Sequence, residues 1–264
     1  MSGRARRGAG SSVPTGLALS GLARAVALGA SLAASPWPAL AAEGDCFGYG
    51  ELGAGPGPTL GTVKAGAARV PFLRGASERK GCPGPDPACR ETAFVVPGNT
   101  VILAGAPGEA SPGFVCATYV GQKGTVRSGW LPEGAVARAP DAPGQRSRDW
   151  TGIWRAPEAT LVIRQAKAAG ALSVKGDATF GALDPDRVRR GAVNLGSVDG
   201  TMAPSGPSLA FTMGDRGTLP YAGGEAADCR LRLTLLPPFL LAQDNNACGG
   251  MNVSFTNVYR RTKP

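Results

Sequence analysis

The chain has 264 residues, 28 of them basic, 19 acidic and none histidine, for a formal charge of +9. Forty glycines and 23 prolines make up nearly a quarter of it, too much punctuation for a helical bundle and well suited to short strands joined by turns. The missing histidine excludes Ser-His-Asp and Cys-His nucleophile activation and every zinc site that needs imidazole.

Residues 1–41 read as a secretory signal. Arg4, Arg6 and Arg7 form a basic start, "GLALSGLARAVALGASLAA" is a weakly apolar stretch, and "PALAA" offers a small-residue cleavage site after Ala41. Arg24 breaks the apolar run well short of the ~20 residues that a spanning helix needs, so no transmembrane anchor is expected after cleavage. The expected location is periplasmic or secreted. Cleavage removes four arginines and no acids, leaving +5. Residues 42–145 balance at nine basic and nine acidic, and residues 146–264 carry fifteen and ten. The excess is thin except for "RVRR" at 187–190, which reads as a solvated turn. Nucleic acid, which wants a basic stripe with stacking aromatics, is not an expected partner.

All six cysteines follow the cleavage site, and an even number in an exported chain reads first as three disulfides, with 15 pairings open. Cys82 and Cys89 bracket the Pro-rich "PGPDPA" and suit a local bridge. Cys229 and Cys248 suit the end of a hairpin. Cys46 and Cys116 are left to pair, pinning the mature N-terminus. There is no C-x-x-C pair, calcium loop or Gly-rich phosphate loop, so no metal and no cofactor is expected. Two-carboxylate chemistry stays open, but the adjacent pair Asp184 and Asp186 lies in Asp-Pro-Asp, a turn signature. The chain is expected to be non-catalytic.

An all-β first domain is expected over 42–138. Its strands are "AARVPFL" (67–73), "TAFVVPGNTVILAG" (92–105), "GFVCATYV" (113–120) and "TVRSGWLPEGAV" (125–136). The Pro97-Gly98-Asn99 turn between apolar stretches predicts a hairpin. This order, with "GW" followed by an aliphatic residue, resembles bacterial SH3-like domains over about 70 residues. The resemblance implies a small barrel that serves as a binding module for cell-wall peptides or partner proteins. It places Trp130 and Tyr119 as candidate ligand contacts, and predicts an exposed aromatic cluster there. Core packing of Trp130 is the alternative.

Residues 139–148, rich in Ala, Pro and Arg, read as a linker. A second domain follows over 149–264, an antiparallel barrel of about eight strands. Alternation is cleanest in "RLRLTL", with Leu231, Leu233 and Leu235 on one face. "TGIW" at its start and "VYRR" at its end resemble the Gly-x-Trp and terminal Arg of calycin barrels such as lipocalins. That resemblance implies that Gly152 bends the chain across the barrel floor, Trp154 plugs it, and Arg260 or Arg261 covers the indole.

The function expected from these features is an exported binding protein of the cell envelope, its partner a cell-wall polymer or an envelope protein. The alternative is a secreted inhibitor of lysozyme-like hydrolases, acting through "DNNACGG" (244–250), or a small-ligand carrier with a hollow second barrel.

Overall fold

The computed structural model describes residues 45–105, 111–122, 124–140, 146–215 and 217–262; the expected signal segment lies outside them. The protein is all-β. The first sheet holds β1 (Thr59–Val63), β2 (Val70–Leu73), β3 (Arg90–Val95), β4 (Thr100–Leu103), β5 (Phe114–Val120), β6 (Val126–Pro132) and β7 (Val136–Arg138). Its order is β3-β2-β6-β5-β4-β1-β7, antiparallel throughout. Val95, Val101, Ala117 and Leu131 form its buried inner face.

One expected hairpin is absent. β3 pairs with β2, and β4 pairs with β1 and β5, so the Pro97-Gly98-Asn99 turn joins strands that are not neighbours. Tertiary partners decide this. The turn is held to the end of β1, where Gly98 N–H donates to the Val63 carbonyl and Val63 N–H to that of Asn99, each at 2.9 Å.

The second sheet is a nearly closed nine-stranded antiparallel barrel, one strand more than expected. Its members are β8 (Gly152–Ala156), β9 (Ala159–Gln165), β10 (Leu172–Phe180), β11 (Asn194–Met202), β12 (Ser208–Gly214), β13 (Gly217–Pro220), β14 (Cys229–Leu236), β15 (Phe239–Asp244) and β16 (Asn257–Arg261), in the order β11-β10-β9-β8-β16-β15-β14-β12-β13. A one-turn helix, α1 (Ser147–Trp150), leads into β8, so the expected linker ends in ordered structure. α2 (Pro185–Arg189) lies between β10 and β11.

Interior positions follow the pleat. In β14, Cys229, Leu231, Leu233 and Leu235 are buried and alternate with half-buried Arg230, Arg232 and Thr234. These side chains meet Leu161, Ile163, Val174, Phe211, Leu240, Phe255 and Tyr259 in one continuous core. The barrel's interior is therefore filled, as small barrels of this strand number are when they hold no ligand.

β15 breaks the alternation because it is buried on both faces. Leu240 and Ala242 point into the barrel, while Phe239 and Leu241, with Val258 of β16, pack outward against Ile102 and Val120 of the first sheet and against Leu52. The two sheets thus share a seam, and the described residues belong to one compact unit. Polar groups satisfy the seam's backbone. The Tyr49 hydroxyl donates to the Ala242 carbonyl at 2.6 Å, the Gln243 Oε1 accepts from Leu52 N–H at 2.8 Å, and Arg260 Nη2 donates to the Val120 carbonyl at 2.6 Å. Burial, and after it the charge of Asp244, pushes the Tyr49 phenol well above its ordinary value, which keeps it a neutral donor.

Leu241→Ala removes side-chain volume from this seam without touching the barrel interior. The expected cost is about 2–4 kcal/mol, in a single cooperative urea transition followed by both tryptophan fluorescence and far-ultraviolet dichroism. Two separate transitions in the unmodified protein would show that the sheets fold independently.

Candidate functional site

The first sheet carries a cleft of about 190 Å³ where β2 leaves the sheet after Leu73 and exposes the start of β3 to β6. Asp45, Phe47, Ser77, Glu78, Glu91, Arg127, Ser128 and Trp130 are among the residues that line it. Glu91 forms an ion pair with Arg127. Glu78 Oε2 accepts from Gly75 N–H at 3.1 Å, and Asp45 Oδ1 accepts from Ser77 N–H at 3.0 Å, so both carboxylates brace the turn at 74–79. Hydrogen bonds from Ser77, the hydroxyl first and the backbone N–H second, hold the Asp45 carboxyl below its ordinary value. Phe47 is 70% exposed at the rim.

The structure separates the two aromatics expected to act together. Cys116 is directly opposite Trp130, and Tyr119 is opposite Arg127, so Tyr119 and Trp130 project from opposite faces of the sheet. Tyr119 packs partly buried on the inner core, away from the cleft. Trp130 is only 5% exposed and lies among Leu73, Cys82 and Cys89, with Cys46, Phe114 and Cys116 beside it. Among the described residues no exposed aromatic cluster forms around Tyr119 and Trp130. Two disulfides, Cys46–Cys116 and Cys82–Cys89, flank the indole, because each ends a segment with too little apolar surface to hold itself down. The contacts that sequence reasoning missed are Asp45, Phe47, Glu78, Glu91 and Arg127. The available signal was "DCFGY", where an aromatic next to a bridged cysteine is bound to be held in place.

At the other end of the chain, Trp154 and Arg261 meet at the start and end of the second sheet. Trp154 is buried, its Nε1 donates to the Trp150 carbonyl at 2.8 Å, and the Arg261 guanidinium sits 4.7 Å from its ring centroid. Arg261 also donates to the Asp149 carbonyl. Gly152 has φ +142°, a backbone conformation that favours glycine, and a β-carbon there would also press on the Arg261 side chain at 3.3 Å. Arg260 faces the other way, over Phe239 at 5.3 Å. A recess of about 260 Å³ beside this contact is lined by Asp149, Trp154, Pro237, Pro238 and Arg261.

The loop 245–256 is held against β11. The edge strands β11 and β13 share no backbone ladder; Thr201 N–H donates to Thr218 Oγ1 at 2.9 Å, and at the start of β11 Gly196 bridges Gly249 and Ser197 N–H donates to the Cys248 carbonyl at 3.2 Å. Cys229–Cys248 and the buried Val253 fix this loop. Asp244 anchors its far end, accepting from the Ser254 hydroxyl at 2.6 Å and the Thr256 hydroxyl at 2.7 Å. Asp184 caps α2 by accepting from Asp186 and Arg187 N–H, so the Asp-Pro-Asp carboxylates serve a helix start. Among the described residues no cluster of three or more acidic, Cys or His side chains could hold a metal, and no helix is long and apolar enough to cross a membrane. No family model, curated protein or solved structure matches the chain.

The Cys46–Cys116 bridge closes a separation of 70 residues. Replacing both cysteines with serine is expected to cost about 4 kcal/mol in the chain-entropy model, read as a fall in the urea midpoint. Arg261→Ala is expected to cost about 0.5–2 kcal/mol, and to red-shift tryptophan emission as the indole is uncovered.

Proposed function

We propose that the protein is an exported, non-catalytic binding protein of the cell envelope. In this reading the first sheet is an SH3-like module that engages a cell-wall peptide or a protein partner. The observation that carries it is the cleft at 45–47 and 127–130, a concave site bordered by Trp130 and the Cys46–Cys116 bridge. Export is supported by three disulfides together with the signal-like start. The second sheet serves as a calycin-like support, a reading favoured by the Gly152, Trp154 and Arg261 arrangement. Its filled interior weighs against a carrier. The absence of histidine and the pairing of all six cysteines support a non-catalytic role.

The cleft's chemistry narrows the ligand. Asp45, Glu78 and Glu91 line the cleft, Arg127 pairs with Glu91, and Phe47 offers an open ring at the rim. Carboxylates beside an aromatic face suit a ligand with a free ammonium group, such as the amino end of a stem peptide or a lysine of a partner.

Co-sedimentation with purified peptidoglycan, and pull-down from solubilised envelope, test this. Phe47→Ala is expected to weaken retention by roughly 3- to 30-fold with an unchanged melting temperature, since Phe47 is exposed. Trp130→Ala is expected to lose about 3–5 kcal/mol of stability, so it does not report on binding. Retention on neither material, or full retention of Phe47→Ala, overturns the proposal.

A further inference from the structure

The cleft of the first sheet opens where a rung of the ladder is missing. β6 is paired with β5 along its whole length, but β2 meets its other edge only where Leu73 lies opposite Trp130. The ladder fixes which main-chain groups face that edge. Ala104 N–H donates to the Cys116 carbonyl at 3.0 Å, so Cys116 turns its main-chain groups toward β4. In an antiparallel ladder the N–H and C=O of a residue point to one side, and that side alternates along the strand. Trp130, opposite Cys116, therefore points away from β5 toward Leu73, and Ser128 and Val126 point the same way.

Gly75 is the residue that would come next, opposite Ser128. Its N–H goes instead to Glu78 Oε2 at 3.1 Å, and its carbonyl accepts from Arg79 N–H at 3.1 Å. The Ser128 hydroxyl is turned to that of Thr118 at 2.9 Å. Among the described residues, no main-chain partner meets the Ser128 N–H and C=O on that side, and both Gly75 and Ser128 line the cleft.

Unpaired N–H and C=O groups along a strand edge select one kind of occupant, another extended main chain. Leu73 already fills the level of Trp130, so an added strand ends at Ser128. Run antiparallel to β6, as β2 and β5 do, it follows the direction of β2, and its blocked end is its amino end. Charge at that end has the matching sign. Of the charged groups that line the cleft, Glu91 is paired with Arg127, which leaves Asp45 and Glu78. Both lie against the Gly75 turn, Glu78 on the Gly75 N–H and Asp45 on the Ser77 N–H. Arg74 is turned to the Ala88 and Arg90 carbonyls, and Arg79 and Lys80 do not line the cleft.

We propose that the cleft takes the free amino end of an extended polypeptide as an added strand on β6. Ser128 and Val126 supply the rungs, and the carboxylates of Asp45 and Glu78 receive the α-ammonium. This role rests on the cleft being the binding site proposed above, and it selects a protein N-terminus over a wall polymer.

The probe is a phage library of short random peptides displayed with free amino ends, panned on the full exported chain, with titration of the enriched peptides. Acetylating the amino end is expected to weaken binding at least about tenfold. A scan of main-chain N-methylation is expected to weaken it about tenfold at every second residue and little between, because alternate N–H groups face β6. Ser128→Pro removes the N–H that faces the cleft, keeps every rung to β5, and should weaken binding at least about tenfold. The methylation scan uses the parent protein, so it decides the matter even where that variant fails to fold. A flat scan, tolerance of acetylation, parent-like binding by a folded Ser128→Pro, or no enriched peptide each overturns the proposal. Where one of these accompanies Phe47-dependent retention on peptidoglycan or envelope protein, the cleft stands as the binding site and strand addition alone falls. Where Phe47→Ala is retained like the parent, the cleft falls with it.

Discussion

A strand buried on both faces cannot be served by water on either side, and β15 is such a strand. Leu240 and Ala242 belong to the barrel interior, and Phe239 and Leu241 belong to the seam with the first sheet. Burying both rows makes the barrel's outer wall part of a second core, so neither sheet has a free hydrophobic face to expose. The segment 45–52 completes that arrangement. Tyr49 and Leu52 enter the seam, and Cys46 ties the segment to β5. The same segment then supplies Asp45 and Phe47 to the cleft, which links the packing of the two sheets to the shape of the candidate site.

The basic excess of the chain is spent largely on aromatic rings. Arg69 covers Phe94, Arg187 covers Phe180, Arg232 covers Tyr221, Arg260 covers Phe239 and Arg261 covers Trp154. A guanidinium is flat and weakly hydrated, so it can lie on a ring while its donors still reach backbone carbonyls. Arg232 to Leu52, Arg260 to Val120 and Arg261 to Asp149 are contacts of this kind. Net charge alone is therefore a poor guide to polyanion binding in this protein, and position decides which arginines remain to meet a partner.

How much could be read from the sequence depended on whether the signal was local. The three disulfides were legible because loop composition and order along the chain constrain them: a Pro-rich loop, a hairpin end and a remaining pair. Alternation in β14 marked its inward face, and the Gly-x-Trp start and arginine end are the segments where Arg261 lies over Trp154. What depended on partners distant in sequence was not legible. The Pro97-Gly98-Asn99 turn looks like a hairpin from its own residues, yet β1 claims it. Trp130 and Tyr119 look like neighbours by family likeness, but the β5–β6 register sends them to opposite faces. The cleft draws on residues from 45 to 130, and no short motif encodes that meeting. Likewise "PFLLAQD" shows an apolar run without showing which two surfaces cover it.

The 245–256 segment, held between β11 and the start of β14, has a consequence for how this scaffold can vary. A barrel closed by a full ladder has its circumference set by strand number and stagger. Here the edge strands β11 and β13 share no ladder, and a covalently tethered insert packs on β11 through a close approach, Gly196 to Gly249, that needs none. The outward end of that insert, around Met251, can lengthen or change composition while its buried root at Cys248 and Val253 stays put. Closure and presentation are thus decoupled, and one ring of strands can display different tips.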